Sequence, residues 1–583
     1  AAQCFIVIHI RFFGGMPDHI NSQNLGGIMK RLKSFLNFGI LLATMLSTMP
    51  LYAQIGPQWA WITNATGENT QRARGIACDE DDNIYVCGHF LGDTTFGPGL
   101  LSSNGDTDAY IAKMNPDGEW LWAQKAGGTG SDDAWSIAVD NAGNVYLTGI
   151  FESTASFGTH SLVSAGDYDI FVAKLDSDGN WLWVRSAGSS GEDHGYDIAM
   201  NPDGGCYLTG YIYDTAVFGD FEVSPYGYKD IFVAKMSADG NWQWVNHAGG
   251  TNVDEGKALS IDNDGNIYLS GHFRNLAAFG EFSLESYGAN DVFVAKLDSD
   301  GIWLWAEACG GFSYYDDVWD IAVNSNNICC ITGEFYSDGH FGDFTVEGGG
   351  AKDIYIAAID SGGVWRWANS AGAGGTDTGN SVAIDENGEV FVCGSFQNTI
   401  GFGDTQITSA GIWDIFIAKS DANGNWVWAT SVGSSTNDFA GGIALNSSSD
   451  LYVHGSISGT AWFGDVSLDS SGGFDVFVAL LNTQGIAVDD PLCPQISEDY
   501  ALMNPMPNPV FKGSPISLDT HLAQKNDGEL ELYNIRGQLL QSRPVNPGTQ
   551  RFIFDSESLA TGVYLFRLKS KHGFSTKKIT VIR

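Results

Sequence analysis

One register of this chain carries an acidic or amide side chain in seven successive places: Gln71, Asp132, Asp193, Asp254, Asp316, Asp377 and Asp438, each 61 or 62 residues from the next. Carboxylates gathered in a ring can hold a cation or accept hydrogen bonds from a polyol. The same residue type at a turn accepts backbone N–H groups instead, and both readings stand at this point. Three residues further on, the copies read Arg74, Trp135, Tyr196, Lys257, Trp319, Asn380 and Gly441. The framework around this position barely changes while the position itself varies, as a surface asymmetric enough to read a ligand requires. Trp135, Tyr196 and Trp319 offer flat faces to a sugar ring or a peptide aromatic; the alternative is that they fill space along a channel.

Local signatures of catalysis are missing. The sequence contains no G-x-S-x-G, H-E-x-x-H or P-loop, and the histidines form no metal-like cluster in sequence. Turns such as Asp176-Ser-Asp-Gly-Asn180, Asp262-Asn-Asp-Gly-Asn266 and Asp298-Ser-Asp-Gly301 resemble the opening of a calcium loop. They lack its distal Glu and lie between strands, so they read as hairpin turns. No cofactor is expected, with calcium at these turns as the alternative. A site assembled from several repeats would leave no local motif, so a carboxylate-based enzyme stays in view.

The formal charge is −40 and is unevenly placed: Ile55 to Asp499 holds 14 Lys/Arg against 62 Asp/Glu, whereas Tyr500 to Arg583 holds 11 against 6. Such a field repels phosphate backbones and anionic membranes, so nucleic acid is not an expected partner of the main body. Cations or neutral polar ligands suit it better. The 9 cysteines show neither a disulfide framework nor a metal-ligand spacing, and Cys78, Cys206 and Cys329 take positions held by aliphatic residues in other copies.

The elements that must position these side chains follow from the repeat. A Trp-x-Trp pair recurs at Trp59/Trp61, Trp120/Trp122, Trp181/Trp183, Trp242/Trp244, Trp303/Trp305, Trp365/Trp367 and Trp426/Trp428. A Phe-Gly pair from Phe96 to Phe463 and an Asp opening an apolar run from Asp108 to Asp475 keep the same step. Within one unit, Trp135–Val139, Val145–Phe151, Asp169–Lys174 and Trp181–Val184 are short β-branched and aromatic runs between Asn/Asp-Gly turns, a four-stranded antiparallel meander a, b, c, d. Radial repetition of such units makes a propeller. The first Trp-x-Trp lacks a preceding strand c, and the last strand c, from Asp475, lacks a following Trp-x-Trp. The strand Trp59–Ile62 is therefore expected to complete the seventh unit and close the ring. On this reading the d–a and b–c connections share one face, where longer loops concentrate.

Through motifs such as Gly143-Asn-Val-Tyr-Leu-Thr-Gly149 followed by Asp169-Ile-Phe-Val-Ala-Lys-Leu-Asp176, residues 57 to 486 resemble the bacterial seven-bladed β-propeller repeat. That resemblance implies a fold and leaves function open.

After Asp489-Asp-Pro-Leu-Cys-Pro the composition changes. The segments Tyr500–Pro509, Leu530–Leu539, Leu559–Arg567 and Lys577–Val581 read as a small β-sandwich, and in this order they resemble the type IX secretion system type A sorting domain of Bacteroidota-like bacteria. The resemblance implies Sec export, outer-membrane passage through the type IX machinery, and release or surface attachment. Near the other end, Met29-Lys-Arg-Leu-Lys33, the apolar run Phe35–Met49 and small Ala53 read as a signal peptide, too short to prefer spanning a membrane.

The expected organisation is an upstream extension over 1–28, a signal peptide over 29–53, a seven-bladed all-β propeller over 55–486, a linker over 487–499 and a sorting domain over 500–583. No transmembrane segment is expected in the mature form. The function expected first is non-catalytic binding of glycan or surface protein at the d–a/b–c face. The alternatives are a polysaccharide-active enzyme with a channel-mouth carboxylate site and a structural cell-surface component. Candidate ligand-binding residues are Arg74, Trp135, Tyr196, Lys257 and Trp319, with Asp132, Asp193, Asp254, Asp316, Asp377 and Asp438.

Overall fold

The computed structural model describes residues 56–483 and 500–582, excepting 312–314, 350, 373, 465, 503–509, 514, 523–527, 535–538, 561 and 571–572. The expected upstream extension, signal peptide and linker lie outside the described residues. Those residues form strands and turns and contain no helix; the protein is all-β.

From Gln71 onward each repeat folds as the meander its pattern predicts. In the fourth copy, for example, a (Glu255–Ile261) pairs with b (Ile267–Phe273), b with c (Asp291–Leu297), and c with d (Trp303–Cys309), all antiparallel. The last meander, Phe439–Leu445, Leu451–Ile457 and Asp475–Asn482, takes its outer strand from the start of the described chain: Gln58–Asn64 pairs with Asp475–Asn482, with Ile62 opposite Ala479. Strands a touch one another in cyclic order, and the last of them, Phe439–Leu445, packs against the first, Gln71–Cys78. The arrangement is propeller-like.

Two contacts explain the Trp-x-Trp signature. The first Trp stands edge-on to the Phe of its own unit's Phe-Gly turn: Phe96 and Trp120 at 5.1 Å, Phe279 and Trp303 at 5.4 Å, Phe463 and Trp59 at 5.2 Å. Such pairs contribute about 0.5–1.5 kcal/mol beyond area burial. The second Trp reaches the next unit, where its Nε1–H donates to a carbonyl in the c–d turn, as Trp61 does to Pro116, Trp122 to Ser177 and Trp183 to Ala238. The Phe-Gly turn itself tips a small hairpin in the b–c connection. That hairpin pairs with strand d of the preceding unit, as Ala278 does with Gly249 and Phe463 with Val432. One indole thus secures a unit internally and the other ties it to its neighbour.

The seven described cysteines are free thiols, Cys78 partly exposed and the other six buried. The C-terminal region forms two sheets. One joins Tyr500–Leu502, Pro515–Leu522 and Gly548–Asp555; the other joins Val510–Phe511, Gly573–Ile582, Gly562–Ser570, Gly528–Asn534 and Leu539–Val545. Leu518, Leu532, Phe554, Phe566 and Ile579 belong to the core they share.

Candidate functional site

Every strand a carries the same irregularity. Gly195 pairs with Gly210 and Asp197 with Thr209, which leaves Tyr196 without a partner in the ladder. Trp135, Lys257, Trp319, Asn380 and Gly441 are passed over in the same way, as is Arg74 together with Gly75. A bulge re-aims one side chain and bends the strand. Here it requires a residue without Cβ on strand b: a Cβ at Gly210 would lie 1.8 Å from the His194 carbonyl oxygen, and one at Gly271 2.0 Å from that of Glu255.

The bulge side chains meet around one cavity of about 760 Å³, at the end of the a strands nearest the d–a and b–c connections. The Arg74 guanidinium lies 3.8 Å over the Trp135 ring, and Trp135 meets Tyr196 edge-to-face at 5.1 Å. Lys257 Nζ sits 4.2 Å from Tyr196 and 5.6 Å from Trp319. These five expected residues form a continuous belt of two cations and three aromatics along one side. Asn380 and Gly441 stand on the other side, where Trp413, Phe439, Ser395 and Ser456 supply the wall.

Carboxylates behind the belt fix it in place. Arg74 pairs with Asp133 at 3.0 Å, Lys257 with Glu255 at 2.7 Å, and Trp319 Nε1–H donates to Glu334 at 2.8 Å. Burial opposes ionisation of Asp133, yet Arg74 and His89 beside it hold its carboxyl below the usual range. Burial also pushes the neighbouring His194 down to about 4, so its imidazole is neutral at pH 7. Deeper in the cavity wall, Asp197 accepts from the Ser136 hydroxyl at 2.6 Å and the Leu259 N–H at 2.7 Å, joining three consecutive units. Asp320 accepts from the Ser381 hydroxyl and the Val382 N–H of the next unit. Burial raises Asp197 to about 7 and Asp320 to about 6.

The carboxylate ring is a correction. Asp132, Asp193, Asp254, Asp316, Asp377 and Asp438 do not line the cavity; they are buried at 0–2 % exposure inside the d–a turns. Asp254 shows why: one oxygen accepts the Gly250 N–H at 2.7 Å and the other the Arg274 N–H at 2.9 Å, so one side chain clasps the d–a turn to the end of strand b. Asp193 and Asp438 repeat this pair of bonds with Ser189 and Tyr213, and with Ser434 and Ser458. Burial raises Asp254 to about 6 and Asp132 and Asp316 to about 7. Asp230, Asp291 and their equivalents at the start of strand c accept backbone N–H groups of the b–c loop. In the calcium-like turns, Asp176 accepts the N–H groups of Asp178 and Asn180 within its own hairpin.

Arg72, Trp413 and Phe439 were missed in the sequence. They lie two residues before the bulge (Arg72, Phe439) or just before strand c (Trp413), and those positions also vary between copies: Arg72, Asp133, His194, Glu255, Asp317, Thr378 and Phe439 share the first. Comparing every column of the repeat would have exposed them. The charged side chains of the lining are Arg72, Arg74 and Lys257 together with Asp197 and Asp320, and Arg74 and Lys257 are paired with Asp133 and Glu255.

Comparison with known proteins adds a second kind of observation. The chain is 31% identical to the regulatory protein FlaEY of Caulobacter vibrioides over 55% of its own length, and 21% identical to an uncharacterized WD repeat-containing protein of Acanthamoeba polyphaga mimivirus over 59%. It spans about a third of the length of these curated relatives, 36% and 32% respectively. Among solved structures, a fungal alcohol oxidase of the AA5 family in complex with copper aligns over 91% of this chain and 100% of its own, with 12% identity and a TM-score of 0.39. The GH43 protein BlXynB of Bacillus licheniformis aligns over 73% and 97%, with 8% identity and a TM-score of 0.26. Residues 506–582 match the secretion system C-terminal sorting domain, within the 500–583 expected. The C-terminal region is therefore a type IX sorting domain: it engages that secretion machinery and directs the chain to the cell surface or beyond.

Proposed function

We propose that this protein is an exported seven-bladed β-propeller, closed by its N-terminal strand and followed by a β-sandwich sorting domain, that binds a saccharide in its central cavity without transforming it. One observation carries the reading: the bulge residue changes from repeat to repeat within a nearly constant frame, and the bulge side chains converge on one cavity of about 760 Å³. That volume suits a ligand of a few sugar rings. A constant scaffold with variable side chains at a single re-aimed position is the arrangement expected of a recognition surface. Trp319 keeps 36% of its surface exposed and Trp135 lies beside Tyr196, so apolar faces are available to sugar C–H groups, while Ser395, Ser456, Asn380 and Thr378 offer hydroxyl and amide partners.

The carboxylates required by the enzymatic alternative are engaged in turns, which withdraws its main support. The test is a glycan array probed with the full chain and with the Trp135→Ala/Trp319→Ala double variant, followed by product analysis of any glycan bound. Selective binding lost in the variant, with the glycan recovered intact, supports the proposal. Turnover of the glycan, or binding indifferent to both substitutions, sinks it.

A further inference from the structure

Among the described residues Arg72 is a cation without an anion, in a chain whose formal charge is −40. Its guanidinium lies 3.8 Å from the Phe474 ring and 4.7 Å from the Phe439 ring, and it lines the cavity. The carboxylates of the surrounding network are committed elsewhere: Asp133 to Arg74, Glu255 to Lys257, Asp317 to His272 and Glu334 to Lys352. Among the described residues Arg72 has no ion pair, and the charged group nearest in effect is a second cation, Arg74; burial and that cation together lower its pKa to about 10. Its side of the cavity is walled by Phe439, Ser395, Ser456, Asn380 and Thr378; the two carboxylates in the lining, Asp197 and Asp320, accept hydrogen bonds from Ser136 and Leu259 and from Ser381 and Val382.

A partly buried guanidinium left unpaired is costly, and folded proteins normally match such a charge. The two phenyl rings hold its position without neutralising it, while Arg74 adds positive potential. A fork of N–H donors held rigid, partly desolvated and facing a cavity is suited to bidentate capture of an oxyanion. The hydroxyl and amide groups beside it suit the remaining hydroxyls of a sugar. We propose that Arg72 is an anion subsite of the cavity, taking the carboxylate or sulfate of an acidic saccharide whose adjoining ring rests against the aromatic belt. This rests on the binding reading above and names the ligand class.

The test is calorimetric titration of the full chain with matched trimers: gluco-, galacto- and mannuronates, their methyl esters, and the corresponding neutral sugars bearing 6-sulfates. Methyl esterification removes the charge and keeps the shape. The expected result is that at least one acidic trimer binds about tenfold or more tightly than its uncharged counterpart, the scale of a charge-assisted hydrogen bond. Arg72→Gln should bring the acid-to-ester affinity ratio close to one, while Arg72→Lys retains part of the preference. Dependence on Arg72 confined to uronates assigns a carboxylate, and dependence confined to sulfated trimers assigns a sulfate.

Equal affinity for acid and ester, or a preference that survives Arg72→Gln, overturns the anion subsite and leaves saccharide binding standing. Absence of binding to every trimer overturns the anion subsite, and absence of any hit on the glycan array overturns the binding reading with it. If Arg72→Gln does not fold, a salt titration of the unmodified protein replaces it: affinity for the acid should fall with ionic strength while that for the ester stays level, and parallel behaviour of the two refutes the subsite.

Discussion

Replacing Asp254 by alanine separates a structural carboxylate from a ligand-binding one. The side chain is fully buried and its two oxygens accept the Gly250 and Arg274 N–H groups at 2.7 and 2.9 Å. Removing it orphans two donors at once, each costing about 1–3 kcal/mol when buried, so Asp254→Ala should destabilise the protein by about 2–5 kcal/mol. Asp254→Asn keeps one carbonyl acceptor and should lose roughly half as much. The assay is urea unfolding followed by tryptophan fluorescence, with saccharide affinity measured on the same samples below the transition. The reasoning requires a large loss of stability with near-normal affinity in the folded fraction. A variant with unchanged stability and lost binding would refute it and return the carboxylate ring to the site.

Three further outcomes follow from the same geometry. Gly271→Ala places a Cβ 2.0 Å from the Glu255 carbonyl oxygen, opposite the bulge that turns Lys257 toward the cavity. It should cost about 2–4 kcal/mol in chemical denaturation, whereas Gly374→Ala, with nothing within 4 Å of the added Cβ, should cost little. The thermal midpoint should fall as pH rises from 5 to 8, because burial raises Asp132, Asp230 and Asp316 to about 7 and Asp254 to about 6 in the folded state. Their contribution is fully present below the ordinary aspartate pKa and is lost as pH climbs through 6 to 7; a midpoint flat or rising over that range, by scanning calorimetry, contradicts the assignment. Deleting Gln58–Asn64 strips the outer strand from Asp475–Asn482 and leaves an open edge. The truncated chain should lose thermal stability and associate in light scattering, and a peptide spanning that strand should restore it in trans.

The architecture was legible because its signals are repeated and local. Trp-x-Trp, Phe-Gly and the Asp that opens strand c repeat the same contacts from unit to unit, so their spacing translated directly into strands and into the pairing of the first strand with the last strand c. The bulge ring was legible as well, since Arg74, Trp135, Tyr196, Lys257 and Trp319 stood out against a constant frame. The Asp132 series misled for a definite reason: an Asp at a turn has the same sequence signature whether its oxygens face a ligand or the N–H groups of its own loop, and only the path of the b–c connection decides. Arg72 escaped notice because whether a cation is neutralised depends on side chains from other repeats.

The central claim, that the bulge residues form the recognition surface, is tested most directly by a crystal structure of the full chain with the tightest glycan from the array. The account predicts the sugar inside the central cavity, in contact with Trp135, Tyr196 or Trp319 and within hydrogen-bond distance of Arg72 or Arg74. A glycan bound on the outer edges of the meanders, with the cavity side chains untouched, would contradict it.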